Sequence, residues 1–421
     1  MSVIVNICRF VVALTFIFSG FVKAIDPLGT QYKIEDYIKA AGLGDVIYSQ
    51  WLTLGASVFL SAVEFCTGVL LLFAIHRRIV SKVAVVFMAV MTAVTLWLWI
   101  ANPISDCGCF GDAIHLSNGQ TLLKNIVLLA CAAVIAWKPL RMMRFISKSN
   151  QWIVMNYTVL FILASSIWSL YDLPLFDFRP YHVGANIPQG MEIPEGEKQP
   201  EFETTFIMEK DGEQKEFTLD EYPDSTWTFI DSKTRQVSEG YVSPIHDFSI
   251  VRTTDGEDIT EDVLSREGYT FLLISPHLEQ ASDSNFGEID QIAEYAQEHG
   301  YPFYCLTASN EDAIERWREI TGAEYEFCTT DETTLKTIIR SNPGLLLLRS
   351  GTVIRKWSHN HLPAMDAETA AMPMEKLPIG KMPEDSVPRK IALILMWFAL
   401  PLFLLTLADR LWAWTKWMKK I

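Results

Sequence analysis

Apolar residues gather into six runs of membrane-spanning length: Val3 to Ala24, Trp51 to Ile75, Ile79 to Ala101, Leu122 to Trp137, Trp152 to Leu170 and Ile391 to Leu411. A span needs roughly 20 mostly apolar residues, and the fourth run is the shortest. Arg9 stands where the apolar part of a signal peptide should begin, and no A-x-A-like site follows, so the first run reads as a true span. From Tyr171 to Pro200 the chain is rich in Pro and Gly and has no period, the pattern of an extended linker. Two strand-like stretches, FETTFIMEK and KEFTLDEY, then flank Asp211-Gly212, a hairpin turn signal. After Gly240, strands and helices alternate. Strands are expected at Tyr269–Ser275, Pro302–Thr307, around Phe327, at Gly344–Leu348 and at Val353–Trp357. Helices are expected at Asn285–His299, Glu311–Thr321 and near Leu335. The fold class is therefore mixed, an α-helical polytopic membrane bundle with an α/β soluble domain. The expected units are a four-helix membrane domain (1–148), a fifth span (149–171), a linker with a small β element (172–239), the α/β domain (240–362), a second linker (363–388), and a sixth span with a basic tail (389–421).

Charge sharpens this division. The 421 residues carry 35 basic and 50 acidic side chains, a formal charge of −15, and are 50% hydrophobic. Between Asp172 and Pro388 there are 17 basic and 42 acidic residues, while the rest of the chain holds 18 basic and 8 acidic ones. The apolar content excludes a disordered acidic protein, and the acidic excess excludes a nucleic-acid binder. Basic residues mark every second connection: Arg77, Arg78 and Lys82; Lys138, Arg141, Arg144 and Lys148; then Arg410, Lys416, Lys419 and Lys420. The intervening loops, Asp26 to Asp45 and Asp106 to Asp112, are balanced or acidic. Positive charge stays on the cytoplasmic side, so both termini are expected there, with the acidic domain and the 106–112 loop on the outer side. A domain so acidic is repelled by anionic lipid headgroups, and its contact with the membrane unit requires specific docking.

Seven cysteines are present. Cys8, Cys66 and Cys131 fall in spans and Cys305 and Cys328 in expected strands, where buried thiols are the reading, with a structural disulfide between the last two as the alternative. Cys107 and Cys109 differ, because they lie in the small outer loop Asp106-Cys107-Gly108-Cys109-Phe110-Gly111-Asp112. A C-x-C bridge is a tight ring that exchanges readily, which suits a thiol relay more than a staple. The competing readings are metal ligation, for which only His115 is close, and inert loop thiols. Glu64 lies deep in the second span, where an ionisable group needs a partner or a proton. Arg9 is the expected partner, with a neutral Glu64 bonded to Ser or Thr of another helix as the alternative. Lys23 is expected to snorkel at the outer end of the first span. Trp97, Trp99 and Phe110 are the aromatic groups expected to border a flat apolar ligand, although Trp near span ends is more often an interfacial belt.

The first four spans resemble the DoxX family and its relative, the methylamine-utilisation protein MauE. The pattern R-F-x-x-A-x-x-F-x-x-S-G-x-x-K runs from Arg9 to Lys23, E-F-x-x-G-x-x-L from Glu64 to Leu71, and a CGCFG loop from Cys107 to Gly111. This resemblance implies an inner-membrane four-helix bundle, linked to quinone-dependent oxidation in DoxX-like proteins and to disulfide formation in a periplasmic partner, alongside a thioredoxin-like protein, in MauE. Residues 240–362 resemble thioredoxin-like domains of the peroxiredoxin and TlpA-type branch. The likeness rests on Asp247-Phe248-Ser249-Ile250, on Asp255-Gly256 through Thr260, and on Ser341-Asn342-Pro343-Gly344, whose proline would be the cis residue of that fold. Where that branch carries its cysteines, this chain reads Ser275-Pro276-His277, so the domain is expected to be redox-inactive there. Two functions follow as expectations. One is a quinone-linked thiol-disulfide oxidoreductase using Cys107, Cys109 and Glu64, with Arg9, Glu64 and Trp97 toward the quinone. The other is a non-catalytic assembly or maturation factor that holds a periplasmic client at Asn342 and Pro343. Transport through the bundle is weakest, since no broken-helix pattern recurs.

Overall fold

The computed structural model describes residues 1–43, 49–104, 107–194, 196, 201–210, 213–218, 228–238, 241, 243–246, 248–384 and 387–418, with backbone alone at 416, 417 and throughout 201–238. The expected Asp211-Gly212 turn, together with Asp45, Asp106, Asp247, Lys419 and Lys420, lies outside the described residues.

Helix α1 (Ser2–Ile25) buries Val5, Arg9, Val12, Phe16, Ser19 and Lys23 along one face. Helix α2 (Pro27–Ala40) was not foreseen, because its region reads only as a balanced loop. It starts with Pro27 at its first position and Asp26 as N-cap, whose carboxylate accepts from the Gly29 amide at 2.9 Å. The membrane part continues with α3 (Gln50–Leu72), α4 (Arg77–Ala101), α5 (Asn118–Trp137) and α6 (Gln151–Tyr171). Helix α5 opens four residues before the expected start, with Ser117 and Gln120 forming a reciprocal capping box. The closest helix contact is α1 on α3. A Cβ on Gly20 would stand 2.5 Å from the Phe65 amide nitrogen and one on Gly68 2.8 Å from that of Ile17, so the small residues let the two backbones meet. Phe59, Val86, Leu123 and Leu160 point outward, as a lipid-facing surface requires.

Beyond α6 come the short α7 (Ile187–Met191) and an antiparallel sheet in the order β2-β1-β3, from β1 (Glu201–Lys210), β2 (Glu213–Thr218) and β3 (Thr228–Ser238). The α/β domain then runs β4 (Val251–Arg252), α8 (Thr260–Ser265), β5 (Tyr269–Ser275), α9 (Phe286–Glu298), β6 (Phe303–Thr307), α10 (Glu311–Thr321), β7 (Glu326–Thr329), α11 (Glu332–Ile338), β8 (Gly344–Arg349) and β9 (Thr352–Ser358). Its sheet order is β4-β7-β6-β5-β8-β9, with β5, β6 and β7 parallel and β8 and β9 antiparallel additions. Every residue of β5 is buried, because helices cover both faces of the sheet, α9 and α10 on one and α8 and α11 on the other. The chain closes with α12 (Ala367–Ala370) and a sixth span made of α13 (Val387–Ile394), a π turn at Leu395–Ala399 and α14 (Leu400–Met418). Six helices among the described residues are thus long and apolar enough to cross a membrane.

Both expected linkers pack instead of spanning free space. Tyr181 and Ile187 enter the core on the α8 and α11 side, and the Gly184 and Ile187 amides donate to Val353 and Gly351 at 2.8 and 2.9 Å. On the other side Met365, Met374 and Leu377 are buried, and the Tyr295 and Tyr269 hydroxyls donate to the Met372 and Gly380 carbonyls, each at 2.9 Å. Aperiodic, proline-rich sequence allows only short helices here, α7 and α12, but does not prevent packing, and these apolar side chains cover sheet surface that the helices leave open.

The α/β domain sits on the end of the bundle that carries the 107–112 loop. Arg340, just past α11, donates from Nε to both Asp26 oxygens (3.0 and 3.1 Å) and from Nη2 to Asp112 (3.3 Å), with its guanidinium 5.2 Å from the Tyr32 ring centroid. Burial works against the Arg340 charge, but Asp26 and Asp112 outweigh it and hold its pKa above the usual value. Gln50 also donates to Gln280 at 2.9 Å.

Candidate functional site

The loop after α4 turns back over the bundle through Gly108 (φ +62°) and Gly111 (φ +53°), left-handed conformations that glycine adopts without strain. It is pinned from two helices. The Ser19 hydroxyl of α1 donates to the Cys109 carbonyl at 2.6 Å, and the Tyr37 hydroxyl of α2 donates to the Cys107 carbonyl. This brings the Cys107 and Cys109 sulfurs to 2.7 Å, both buried and both free thiols, over Leu98 with Trp97 and Met91 alongside. The hydrogen bond from Cys107, helped by Lys124 and Lys23 and opposed by burial, pulls the Cys109 thiol down to about 7, while the same bond and burial push Cys107 up.

Two cavities adjoin the sulfurs. The larger, about 270 Å³ and mostly apolar, has Cys107, Gly108 and Cys109 in its wall, with Leu60 and Val94 on the bundle side and Phe176 and Phe178 on the α/β side. The smaller, about 20 Å³, lies between Cys109, Lys23, Glu64, Lys124 and Asn125, room for about one water among polar partners.

Glu64 meets Lys23, not Arg9. Lys23 Nζ is 2.6 Å from Glu64 Oε2, with both side chains almost fully buried, so Lys23 does not snorkel. The helix register explains the difference. Gly20 faces Phe65, so Glu64 stands level with the outer third of α1, and Arg9 lies roughly 17 Å deeper at 1.5 Å per residue. Arg9 instead donates to the Met143 carbonyl and lies 4.6 and 5.0 Å from the Phe10 and Phe145 ring centroids. It is remote from the cysteines and from both cavities.

At the strand end where a thioredoxin-like fold would hold its cysteines, Ser275 is buried and donates to Asn342 Oδ1 at 2.7 Å. Asn342 Nδ2 donates to the His277 carbonyl at 2.8 Å, and the Asn342–Pro343 peptide is cis. Pro343 is buried, so this corner offers no open proline edge to a client. Cys305 and Cys328 occupy neighbouring strands, but Cys305 pairs in register with Phe327 and Leu306 with Cys328. The two thiols therefore point to opposite faces, into separate cores, and cannot bridge. Burial pushes both up, Cys328 to about 12.

Lys124, Tyr37, Ser19 and Arg340 were not among the expected site residues. Only Lys124 carried a legible signal, an ionisable side chain inside an apolar span. Its ammonium lies 4.1 Å from the Phe110 ring centroid, close to the loop.

The arrangement defines a class, a polytopic membrane protein with a buried dithiol beside an apolar cavity. Residues 1–138 match the family model of the methylamine utilisation protein MauE, and residues 202–239 match that of a domain of unknown function (DUF8463). The first match spans α1 to α5, so this multi-pass membrane protein is similar to the MauE family over that region. No curated protein and no solved structure matches the chain.

Proposed function

We propose that the chain is a membrane thiol-disulfide oxidoreductase in which Cys107 and Cys109 pass electrons to a quinone seated in the 270 Å³ cavity. The observation that carries this reading is the pair of adjoining sulfurs forming part of that cavity's wall. Oxidation of the dithiol forms one S–S bond and releases two electrons and two protons. The quinone takes up both as a quinol, and exchange with the thiols of an outer partner then restores the reduced pair. The Lys23–Glu64 pair and Lys124 border Cys109 through the water-sized cavity and supply a place for its proton. Trp97 packs beside the cysteines but is not part of the cavity wall, so it supports the loop and does not contact the quinone.

In this reading the protein lies in the inner membrane with both termini cytoplasmic and the α/β domain periplasmic, thioredoxin-like in descent but without its cysteines. It serves as a cap, and the segment that leads into it from α6 contributes Phe176 and Phe178 to the cavity. The matched family's name points to methylamine utilisation, and a thiol of a periplasmic partner in such a system is the natural electron source. The alternative, a non-catalytic maturation factor holding a client at Asn342 and Pro343, is less favoured, because the chain from Arg340 to Pro343 is committed to the bundle and to its own loop. Thiol trapping in intact cells separates the two. The oxidoreductase predicts a mixture of oxidised and reduced Cys107–Cys109 that becomes fully reduced when quinone is depleted. A pair that stays reduced under all conditions leaves the maturation role standing.

A further inference from the structure

A cavity of about 450 Å³ lies where the chain leaves α6 and enters α13, at the α/β-side ends of these two apolar segments. Its floor is apolar, with Trp357 and Val387 contributing, and its cationic side is Arg179, Arg355, Lys356 and Lys390. The charge of this lining reverses that of the surrounding domain. Acids outnumber bases by 42 to 17 between Asp172 and Pro388, yet Asp177 is the one acid among the described lining residues. Asp177 is already shared by Arg179 at 2.7 Å and Lys356 at 2.8 Å. Arg355 donates from Nε and Nη2 to the Lys381 and Pro378 carbonyls, both at 3.0 Å, which fixes its guanidinium without neutralising it. Lys390 is exposed, with only the Leu175 carbonyl at 3.4 Å. Neither Arg355 nor Lys390 has a carboxylate at ion-pair distance among the described residues.

We infer that this cavity binds the headgroup phosphate of an anionic glycerophospholipid. A planar guanidinium and an ammonium suit phosphate oxygens, and basic pockets at the ends of spans take such headgroups. The apolar floor continues onto the outward face of the last span, where exposed Ile391 and Leu395 give acyl chains a surface to follow. The bilayer supplies the ligand where the cavity opens. Binding gives an acidic domain, otherwise repelled by an anionic membrane, a second point of attachment beside the Arg340 clasp, since Arg179 and Lys356 donate to the Thr337 and Ile338 carbonyls just before it.

The test uses the full-length protein in nanodiscs with a photoactivatable phosphatidylglycerol, crosslinks being mapped by peptide mass. Labelling is expected within residues 173–183 and 355–357, and the Arg355→Ala/Lys390→Ala pair weakens the apparent affinity there about 30-fold. Labelling at the cytoplasmic 138–148 loop stays unchanged and shows that the variant is folded. Equal labelling by a phosphatidylcholine probe, or labelling at 173–183 that survives the double substitution, overturns the inference. So does full competition by inorganic phosphate, which makes free anion the ligand, or by an acidic peptide, which makes the cavity a protein-docking site.

Discussion

Cys107 and Cys109 in the membrane half stand 2.7 Å apart in a cavity wall, whereas Cys305 and Cys328 in the α/β half lie on neighbouring strands and point to opposite faces of the sheet. The first pair is held by a glycine-turned loop pinned to two helices, and the hydrogen bond from Cys107, helped by Lys124 and Lys23, draws Cys109 down to about 7. The second is sealed in apolar packing that pushes both thiols up. Adjacency in a fold is thus not proximity of side chains. A loop brings residues i and i+2 together, while a sheet separates thiols whose registers differ by one.

The largest expected effect breaks this comparison outright. Cys107→Ser or Cys109→Ser drops thiol-dependent electron transfer to the uncatalysed background, because each removes half of the dithiol. Cys305→Ala and Cys328→Ala leave the rate within about twofold. Quinol formation driven by a reduced thiol substrate is the measurement, and loss of activity in either sheet variant would contradict the contrast.

Next is the ion pair beneath the reactive loop. Glu64→Leu strands Lys23 in the bundle and is expected to destabilise by about 3–5 kcal/mol, whereas the Lys23→Met/Glu64→Leu pair recovers most of that loss. Thermal unfolding in detergent reads both, and a double variant no more stable than the single one speaks against a buried ion pair.

The α/β half enters through its attachment. Arg340→Ala removes the clasp to Asp26 and Asp112, an expected loss of about 2–4 kcal/mol in docking. A short bis-maleimide joining Gln50→Cys to Gln280→Cys reports it as reduced crosslinking. An unchanged yield would mean that Arg340 does not hold the cap.

The smallest effect is a shift in pH. Cys109 reacts as the thiolate, which is present above its pKa near 7 and lost as pH falls through that value. Lys124→Met removes a neighbouring cation, so the alkylation midpoint of Cys109 moves up by about one unit and the rate at pH 7 falls several-fold. A midpoint that does not move assigns the depressed thiol to Cys107 and Lys23 alone.

Much of this contrast is legible in the sequence. The six spans, the alternation of strands and helices after Gly240, and the singling out of Cys107 and Cys109 follow from hydrophobic period, turn residues and loop composition. The partner of Glu64 was not legible, because it depends on the register between α1 and α3, set by Gly20 and Gly68 meeting facing backbones. Helix α2 escaped because its apolar positions form no clear face, Lys33, Glu35, Asp36 and Lys39 being interspersed among them. Arg340 reads in sequence as one more basic residue in an acidic domain, and only the docked fold shows that it reaches Asp26 and Asp112.

The most direct test is anaerobic mixing of reduced, purified protein with a short-chain quinone, following quinol by absorbance and thiols by mass. Electron transfer through the loop predicts one quinol for each Cys107–Cys109 disulfide formed, with Cys305 and Cys328 still reduced. A loop that stays reduced in the presence of quinone would contradict it.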